Sequence, residues 1–222
     1  MNTKEDKIIT NVTNILYKWF PKKTFIETAK INNYPILPKE KKLIINAVSK
    51  RKKEFSTGRW LSRRGLKYLG FPETEILTGY LRNPIWPDKI NGSISHDNKL
   101  CAVVIMKKIP SLTNIGIDII YFPKYSNRLK DLESMFVIDK DEIDIMNEFS
   151  LNFDSLAILF SIKESIIKAM SSEINSFIDM KDIKIFYENK KIKFIIKNKK
   201  PNVDIFAGVS YNYLITTAKI YN

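Results

Sequence analysis

Apolar residues recur at helical spacing over residues 4–20, where Ile8, Ile9, Val12, Ile15 and Leu16 share a face ahead of Pro21. After Pro38 the same period runs through residues 39–69, as one long helix or two. Leu43, Ile44, Ala47, Val48, Phe55, Leu61, Leu66 and Leu69 point inward on this reading, and Gly70 is the natural stop. Residues 71–92, with Pro72, Gly79, Pro84, Pro87 and Gly92, read as loop. Short apolar runs follow at 100–107 and 114–120, both suited to buried strands. Two acidic helical stretches come next, over 129–149 and 153–170. The tail holds strands at 183–187, 191–196, 203–210 and 213–221, with Glu188-Asn189-Lys190 as a hairpin turn. Helices followed by short strands therefore appear twice, breaking near 111–114. The pattern predicts an α+β fold of two similar halves, residues 1–113 and 114–222, packed as a pseudo-dimer within one chain.

Composition narrows the partners. A chain of 222 residues with 44% hydrophobic and 12% aromatic content is not a disordered one. A formal charge of +13 predicts an acidic ligand or partner. Nucleic acid, anionic lipid, a polyphosphate cofactor and an acidic protein all qualify, and a compositional bias toward Lys, Asn and Ile accounts for the charge equally well. The single cysteine, Cys101, lies in an apolar run, which predicts a buried structural thiol and excludes an intramolecular disulfide. The N-terminal residues carry early acids and no apolar core of a signal segment, and no run of 18 apolar residues exists. A cytoplasmic protein without a membrane span is expected.

Four stretches carry chemistry. Asp118 follows Gly116 on a strand-like run, so position 120 shares its face while Ile115, Ile117 and Ile119 face the core. Magnesium uses one or two carboxylates and fills its other positions with water and phosphate oxygens. Asp118 suits that role, and equally suits a strand-end cap. Glu164 lies mid-helix, four residues before Lys168, the spacing of an ordinary surface pair. Phe160 and Ile167 place it at the border of a core, where a carboxylate can hold a metal or accept a proton. Lys163 and Lys168 are then in position to meet a phosphate. Arg51 and Arg59 differ by about 80° around one helix, and a guanidinium fork suits phosphate. Gly58 beside Arg59 would let something approach the helix closely. Lys50, Lys52, Lys53, Arg63, Arg64 and Lys67 read as a solvated basic face. His96, the only histidine, ends the small polar run Gly92-Ser93-Ile94-Ser95-His96, which reads as a loop presenting donors to a phosphate.

In this order the residues resemble the 4'-phosphopantetheinyl transferases of the surfactin- and enterobactin-synthetase type. The resemblance is carried by Arg51, Glu54-Phe55, Gly58-Arg59, Trp86-Pro87, Gly92 to His96, Gly116-Ile117-Asp118, and Phe160-Ser161-Ile162-Lys163-Glu164 with Lys168. It spans residues 51–168. It implies Mg²⁺ and coenzyme A bound at the junction of two halves. A serine hydroxyl of an apo peptidyl, aryl or acyl carrier protein attacks the β-phosphate, releasing adenosine 3',5'-bisphosphate. It further implies that Asp118 and Glu164 hold the metal and that Glu164 is the general base, within a catalytic set of Glu164, Lys168 and His96. Lys163 and Lys168 would steady the pyrophosphate, Ser95 and His96 would contact a phosphate, and Arg51 and Arg59 would hold the 3'-phosphate end. Arg82, shortly before Trp86, is a further phosphate candidate.

The expected partner is a carrier protein with an acidic helix, in non-ribosomal peptide or siderophore assembly. The expected enzyme is a monomer that binds no nucleic acid. One position departs from the family pattern: Ile120 stands where a Glu is usual. A coenzyme A- or carrier-binding homologue without turnover is the alternative it raises, and a basic nucleic-acid-binding module is a third reading without a matching motif.

Overall fold

The computed structural model describes residues 3–125, 128–174 and 176–222. The chain forms two compact units, Met1–Lys108 and Ile109–Asn222. Each combines helix with antiparallel sheet, so the mixed α+β class expected from the periodicities holds.

The first unit begins with α1 (Lys4–Trp19), closed by a capping box between Thr3 and Asp6. Next come β1 (Phe25–Lys30), the short α2 (Pro38–Lys42), α3 (Ser49–Tyr68), and the hairpin of β2 (Ile90–Asp97) and β3 (Leu100–Lys107). Residues 39–69 are thus two helices, and the turn between them leaves Leu43 and Val48 exposed rather than inward. The long helix ends as its glycine predicts. Gly70 takes φ +83°, the Gly70 N–H donates to Lys67 O, and the Phe71 N–H donates to Leu66 O. Strand order is β1-β3-β2.

The run Gly92–His96 is not a loop. It lies inside β2, paired with β3 from Ile90↔Lys107 to Asp97↔Leu100. Its small residues serve close approach. A Cβ on Gly92 would fall 2.6 Å from the Trp86 ring, and one on Gly58 would fall 3.0 Å from Ile94 Cγ2. The close approach expected at Gly58 is that of β2, which lies against the face of α3 there. Cys101 is fully buried in β3, as expected of a structural thiol.

The second unit contains β4 (Leu112–Tyr121), α4 (Leu129–Phe136), α5 (Lys140–Ile145), α6 (Ser155–Ile174), the hairpin β5 (Ile183–Glu188) and β6 (Lys191–Ile196), and the hairpin β7 (Asn202–Ser210) and β8 (Tyr213–Tyr221). Asn189 and Lys190 both take positive φ at the expected β5–β6 turn. The main sheet has the order β4-β8-β7. Asp154 starts α6, its Oδ1 accepting from Ala157 N at 2.8 Å. The helix buries Ile158, Leu159, Ile162, Ile166 and Met170 in one apolar cluster.

Both units share one topology. A first strand pairs with the last, a 20-residue helix precedes the final hairpin, and all pairings are antiparallel. The second unit inserts the β5–β6 hairpin between its helix and its final pair.

Gly116 on β4 sets the distance between sheet and helix. A Cβ there would lie 1.9 Å from Ser165 O and 2.6 Å from Ala169 N, both backbone atoms of α6 that no rotamer change can move. Gly116→Ala must push helix from strand, and overpacking of this kind costs about 1–3 kcal/mol, occasionally more. A drop in chemical-denaturation midpoint with unchanged slope is expected. A midpoint equal to wild type would show that the contact is not as close as described.

Candidate functional site

In the second unit the chemistry gathers where α6 crosses β4. Ser161, Glu164 and Lys168 lie at i, i+3 and i+7, along one face of the helix. Asp118, 5% exposed, meets that face. Its Oδ2 accepts from Ser161 Oγ at 2.8 Å and its Oδ1 from Lys168 Nζ at 2.7 Å. Thr216, the β8 residue opposite Asp118 in register, lies 2.9 Å from Ser161 Oγ and donates to Ser161 O at 2.8 Å. Ser161 and Thr216 fix the aspartate, and no sequence signal marks Thr216: only strand register puts it there.

Glu164 is partly buried on the same face. Burial, then the Asp118 charge, raise its carboxyl above the ordinary carboxylate range, and the Lys168 ammonium offsets only part of that. The two carboxylates repel each other, and a cation beside them relieves that repulsion, as Lys168 does in part. Among the described residues there is no group of three or more His, Cys, Asp or Glu side chains that could hold a metal. Two carboxylates nevertheless match magnesium, which leaves its remaining positions to water and substrate phosphate. Asp118 and Glu164 therefore fit the ion. Ile120 adds nothing to that set. It is 2% exposed and belongs to the apolar cluster beneath α6, and Ile117 and Ile119 are buried too, so β4 is covered on both faces.

Glu164 ties stability to pH. Its folded pKa lies above the ordinary 4.5, so the folded protein retains a proton that the unfolded chain has released. Stability therefore falls as pH rises from about 4.5 through the raised value. In EDTA, the melting temperature of wild type should decline across that window more steeply than that of Glu164→Gln, and Mg²⁺ should flatten the wild-type curve. Parallel curves for the two proteins would contradict this.

Lys163 does not join the group. It is fully buried on another side of α6, where its Nζ donates to Phe136 O at 2.7 Å and Met180 O at 3.3 Å and pairs with Glu142 at 2.9 Å. Burial pushes its ammonium down, and Glu142 opposes the shift. The expectation that Lys163 steadies a pyrophosphate is corrected: the ammonium is enclosed and engaged elsewhere.

In the first unit, Arg51 Nη1 lies 3.1 Å from His96 Nε2. A guanidinium only donates, so Nε2 accepts and the ring proton sits on Nδ1. Nδ1 faces Glu54 Oε2 at 3.8 Å, and Glu54 is also 3.8 Å from Arg51. Alternation along β2 turns His96, with Ile94 and Gly92, toward α3 and the buried Ser95 to the opposite face. The side chains of Ser95 and His96 thus do not reach one ligand together, a correction to the loop reading.

Arg59, two turns further along α3, is 5% exposed. Its Nη2 donates to Thr78 Oγ1 at 3.0 Å and its guanidinium sits 4.4 Å over the Phe55 ring, but its buried Nε has no partner among the described residues. Desolvation pushes Arg59 down to about 10; attraction to Glu40 opposes that shift, while Arg51 and Arg63 add repulsion. Arg82 is exposed in the turn beyond Thr78, at φ 62°, and makes its backbone bond to Gly79 O. Arg63 is not on a solvated face: it is buried against the fully buried Glu40.

Glu54 also lines a cleft of about 430 Å³, together with Lys30, Ser49, Lys50, Lys53, Asn98 and Lys99. Lys30 and Lys99 have no helical period or motif to mark them. The β1–β3 pairing brings them together, as Lys30↔Leu100 is its last step.

Two family models match the chain. The 4'-phosphopantetheinyl transferase N-terminal domain matches residues 39–106, and the 4'-phosphopantetheinyl transferase superfamily matches residues 114–218. Among curated proteins, the chain is 30% identical to the 4'-phosphopantetheinyl transferase PptT of Mycobacterium tuberculosis, over 68% of this chain and 65% of that one. It is 34% identical to enterobactin synthase component D of Salmonella austin, over 59% and 52%. It is also 34% identical to the 4'-phosphopantetheinyl transferase Npt of Nocardia iowensis, over 42% and 43%. The chain thus spans from under half to just under two thirds of the length of these relatives.

Proposed function

Because the chain belongs to the 4'-phosphopantetheinyl transferase superfamily, matched in order across both units, we propose that it transfers 4'-phosphopantetheine from coenzyme A to a serine of an apo carrier protein. The observation that carries this is Glu164: a carboxyl with raised proton affinity, beside Asp118 and Lys168 on one face of α6.

The serine Oγ bonds to the β-phosphorus of coenzyme A, and the bridging bond from that phosphorus to the α-phosphate oxygen breaks. The serine proton passes to a Glu164 oxygen, a transfer favoured by a base whose pKa has moved toward neutrality. Lys168, held by Asp118, supplies a cation to the leaving phosphate. Mg²⁺ held by Asp118 and Glu164 would neutralise the pyrophosphate charge. Arg51 and Arg59, with Lys50 and Lys53 of the cleft, would take the 3'-phosphate end, giving the Arg59 Nε the acceptor it lacks. His96, now the acceptor for Arg51, would give way to phosphate at that guanidinium.

A carrier of non-ribosomal peptide or siderophore assembly is the proposed acceptor, supported by likeness to the enterobactin synthase component. We place the enzyme in the cytoplasm as a monomer. No helix among the described residues is long and apolar enough to cross a membrane. Chromatography of the nucleotide product tests the reaction. Adenosine 3',5'-bisphosphate should appear only with apo carrier and divalent cation together. Its release without a carrier would mean hydrolysis of coenzyme A, and no release under any condition would overturn the proposal.

A further inference from the structure

Thr216 carries a hydroxyl where the packing asks for an apolar side chain. On β8 it shares a face with Leu214, Ala218 and Ile220, all members of the apolar cluster beneath α6, and it is fully buried among them. Valine would fill the same space without taking a hydroxyl out of water, which costs free energy unless the group is bonded. The contacts of the Thr216 hydroxyl go to one residue, Ser161, at Oγ (2.9 Å) and at the backbone O (2.8 Å).

Ser161 differs from two other serines of α6. Ser165 Oγ donates to Ile162 O at 2.8 Å and Ser171 Oγ to Lys168 O at 3.1 Å, the local bond of a helical serine to its own backbone. Ser161, also fully buried, turns its hydroxyl away from the helix to Asp118 Oδ2 at 2.8 Å. Counting protons gives the direction of the chain. A carboxylate only accepts, so the single Ser161 hydroxyl proton goes to Asp118. Ser161 then has none for Thr216, and the Thr216 proton is shared between Ser161 Oγ and Ser161 O. The donors point one way, from β8 through α6 to the carboxylate on β4, and hydrogen bonds in series strengthen one another. Lys168 holds the other oxygen, Oδ1, from a partly exposed side chain, so the buried bond at Oδ2 is what fixes the rotation of the carboxylate.

We propose that Thr216 is a positioning residue for the cation site: acting through Ser161, it fixes the Asp118 carboxylate in the orientation that binds Mg²⁺. The inference rests on the assignment of Asp118 and Glu164 to the metal in the transferase reaction above. A carboxylate already held in place loses less freedom when a cation binds, and partners one step out from a metal ligand are typically worth about 10–100-fold in metal affinity.

The test is Mn²⁺ titration read by electron paramagnetic resonance, with coenzyme A present and no carrier, so that no turnover occurs. Wild type is compared with Thr216→Val, Thr216→Ser, Ser161→Ala and the double variant Ser161→Ala/Thr216→Val. Melting temperature and coenzyme A affinity are measured for each in EDTA. Thr216→Val should raise the Kd for Mn²⁺ about tenfold, yet melt no lower than Thr216→Ser and bind coenzyme A as wild type does. Thr216→Ser keeps the hydroxyl and loses a buried methyl, so it should melt below wild type and retain wild-type Mn²⁺ affinity. Ser161→Ala should lose at least as much affinity as Thr216→Val, and adding Thr216→Val to it should cost nothing further, because both act along one path. Wild-type Mn²⁺ affinity in Thr216→Val overturns the positioning role and leaves the reaction standing. Losses that add in the double variant overturn the path through Ser161. Mn²⁺ affinity that follows the melting temperature, with Thr216→Ser as weak as Thr216→Val, makes Thr216 structural and overturns the proposal. A wild type that binds no Mn²⁺ overturns the metal assignment and the proposal with it.

Discussion

Glu164→Gln should lower transfer to a carrier by about 10² to 10⁴-fold, the usual contribution of a positioned base, while leaving the fold in place. The substitution keeps the size and hydrogen-bonding shape of the side chain, but an amide neither takes the serine proton nor adds negative charge for a cation. Removing that charge also relieves the repulsion from Asp118 and the burial that raise the carboxyl in wild type. The variant should therefore melt no lower than wild type in EDTA, and above the ordinary carboxylate pKa it should melt higher. Stopped-time transfer assays with thermal melts in parallel separate the two effects. Near-normal turnover would remove Glu164 from the mechanism, and an inactive variant that is also unfolded would make the residue structural.

Lys163→Met should destabilise the protein by about 3–5 kcal/mol, the usual effect of removing one partner of a buried ion pair. The ammonium is fully enclosed and joins α6 to the ends of α4 and α5 and to the turn before β5, through Phe136 O, Glu142 and Met180 O. Methionine fills the space but leaves the Glu142 carboxylate buried without its cation. Glu142 would keep its bonds from Ile138 N and Ile185 N, both at 2.8 Å. For that reason Lys163→Met with Glu142→Gln should recover much of the loss: the amide is neutral yet still offers an oxygen. Urea denaturation of the single and double variants reads both effects. A stable Lys163→Met protein with weakened coenzyme A binding would restore the phosphate role that the sequence suggests.

Lys163 shows where sequence reading stops. In the motif it looks equivalent to Lys168, but five helical residues turn the side chain by about 140°, so the two ammonium groups face different sides of α6. The phase was legible; what lies on each side was not, because Glu142 arrives from a helix 21 residues upstream in the chain. Periodicity served well where one pattern dominated: β3, β6 and β8 lie at the expected residues, and Gly70 ends α3. It failed where the pattern was short or small. β1 alternates buried Ile26 and Thr28 with half-buried Phe25, Glu27 and Ala29, too brief and mixed a signal to register as a strand. The run Gly92–His96 looked like loop because its residues are small and polar, yet those residues let Trp86 and α3 lie against β2. The apolar turn at residues 43–48 continued a helical period and so read as core, while its side chains face solvent. Asp118, Ser161 and Glu164 all stand in the family motifs, but what fixes Asp118 was not legible: Ser161 meets it only where α6 crosses β4, and Thr216 depends on a β4–β8 register that no local pattern encodes.

The central claim is that the Asp118, Glu164 and Lys168 group serves phosphopantetheine transfer to a protein serine. Intact-protein mass spectrometry tests it most directly, on an apo carrier domain incubated with this protein, coenzyme A and Mg²⁺. A gain of one phosphopantetheine by the carrier, absent when its acceptor serine is replaced by alanine and absent with Glu164→Gln, is the predicted result. An unmodified carrier across peptidyl, aryl and acyl types, with coenzyme A bound to the protein throughout, would contradict the account and make the chain a cofactor-binding member of its superfamily.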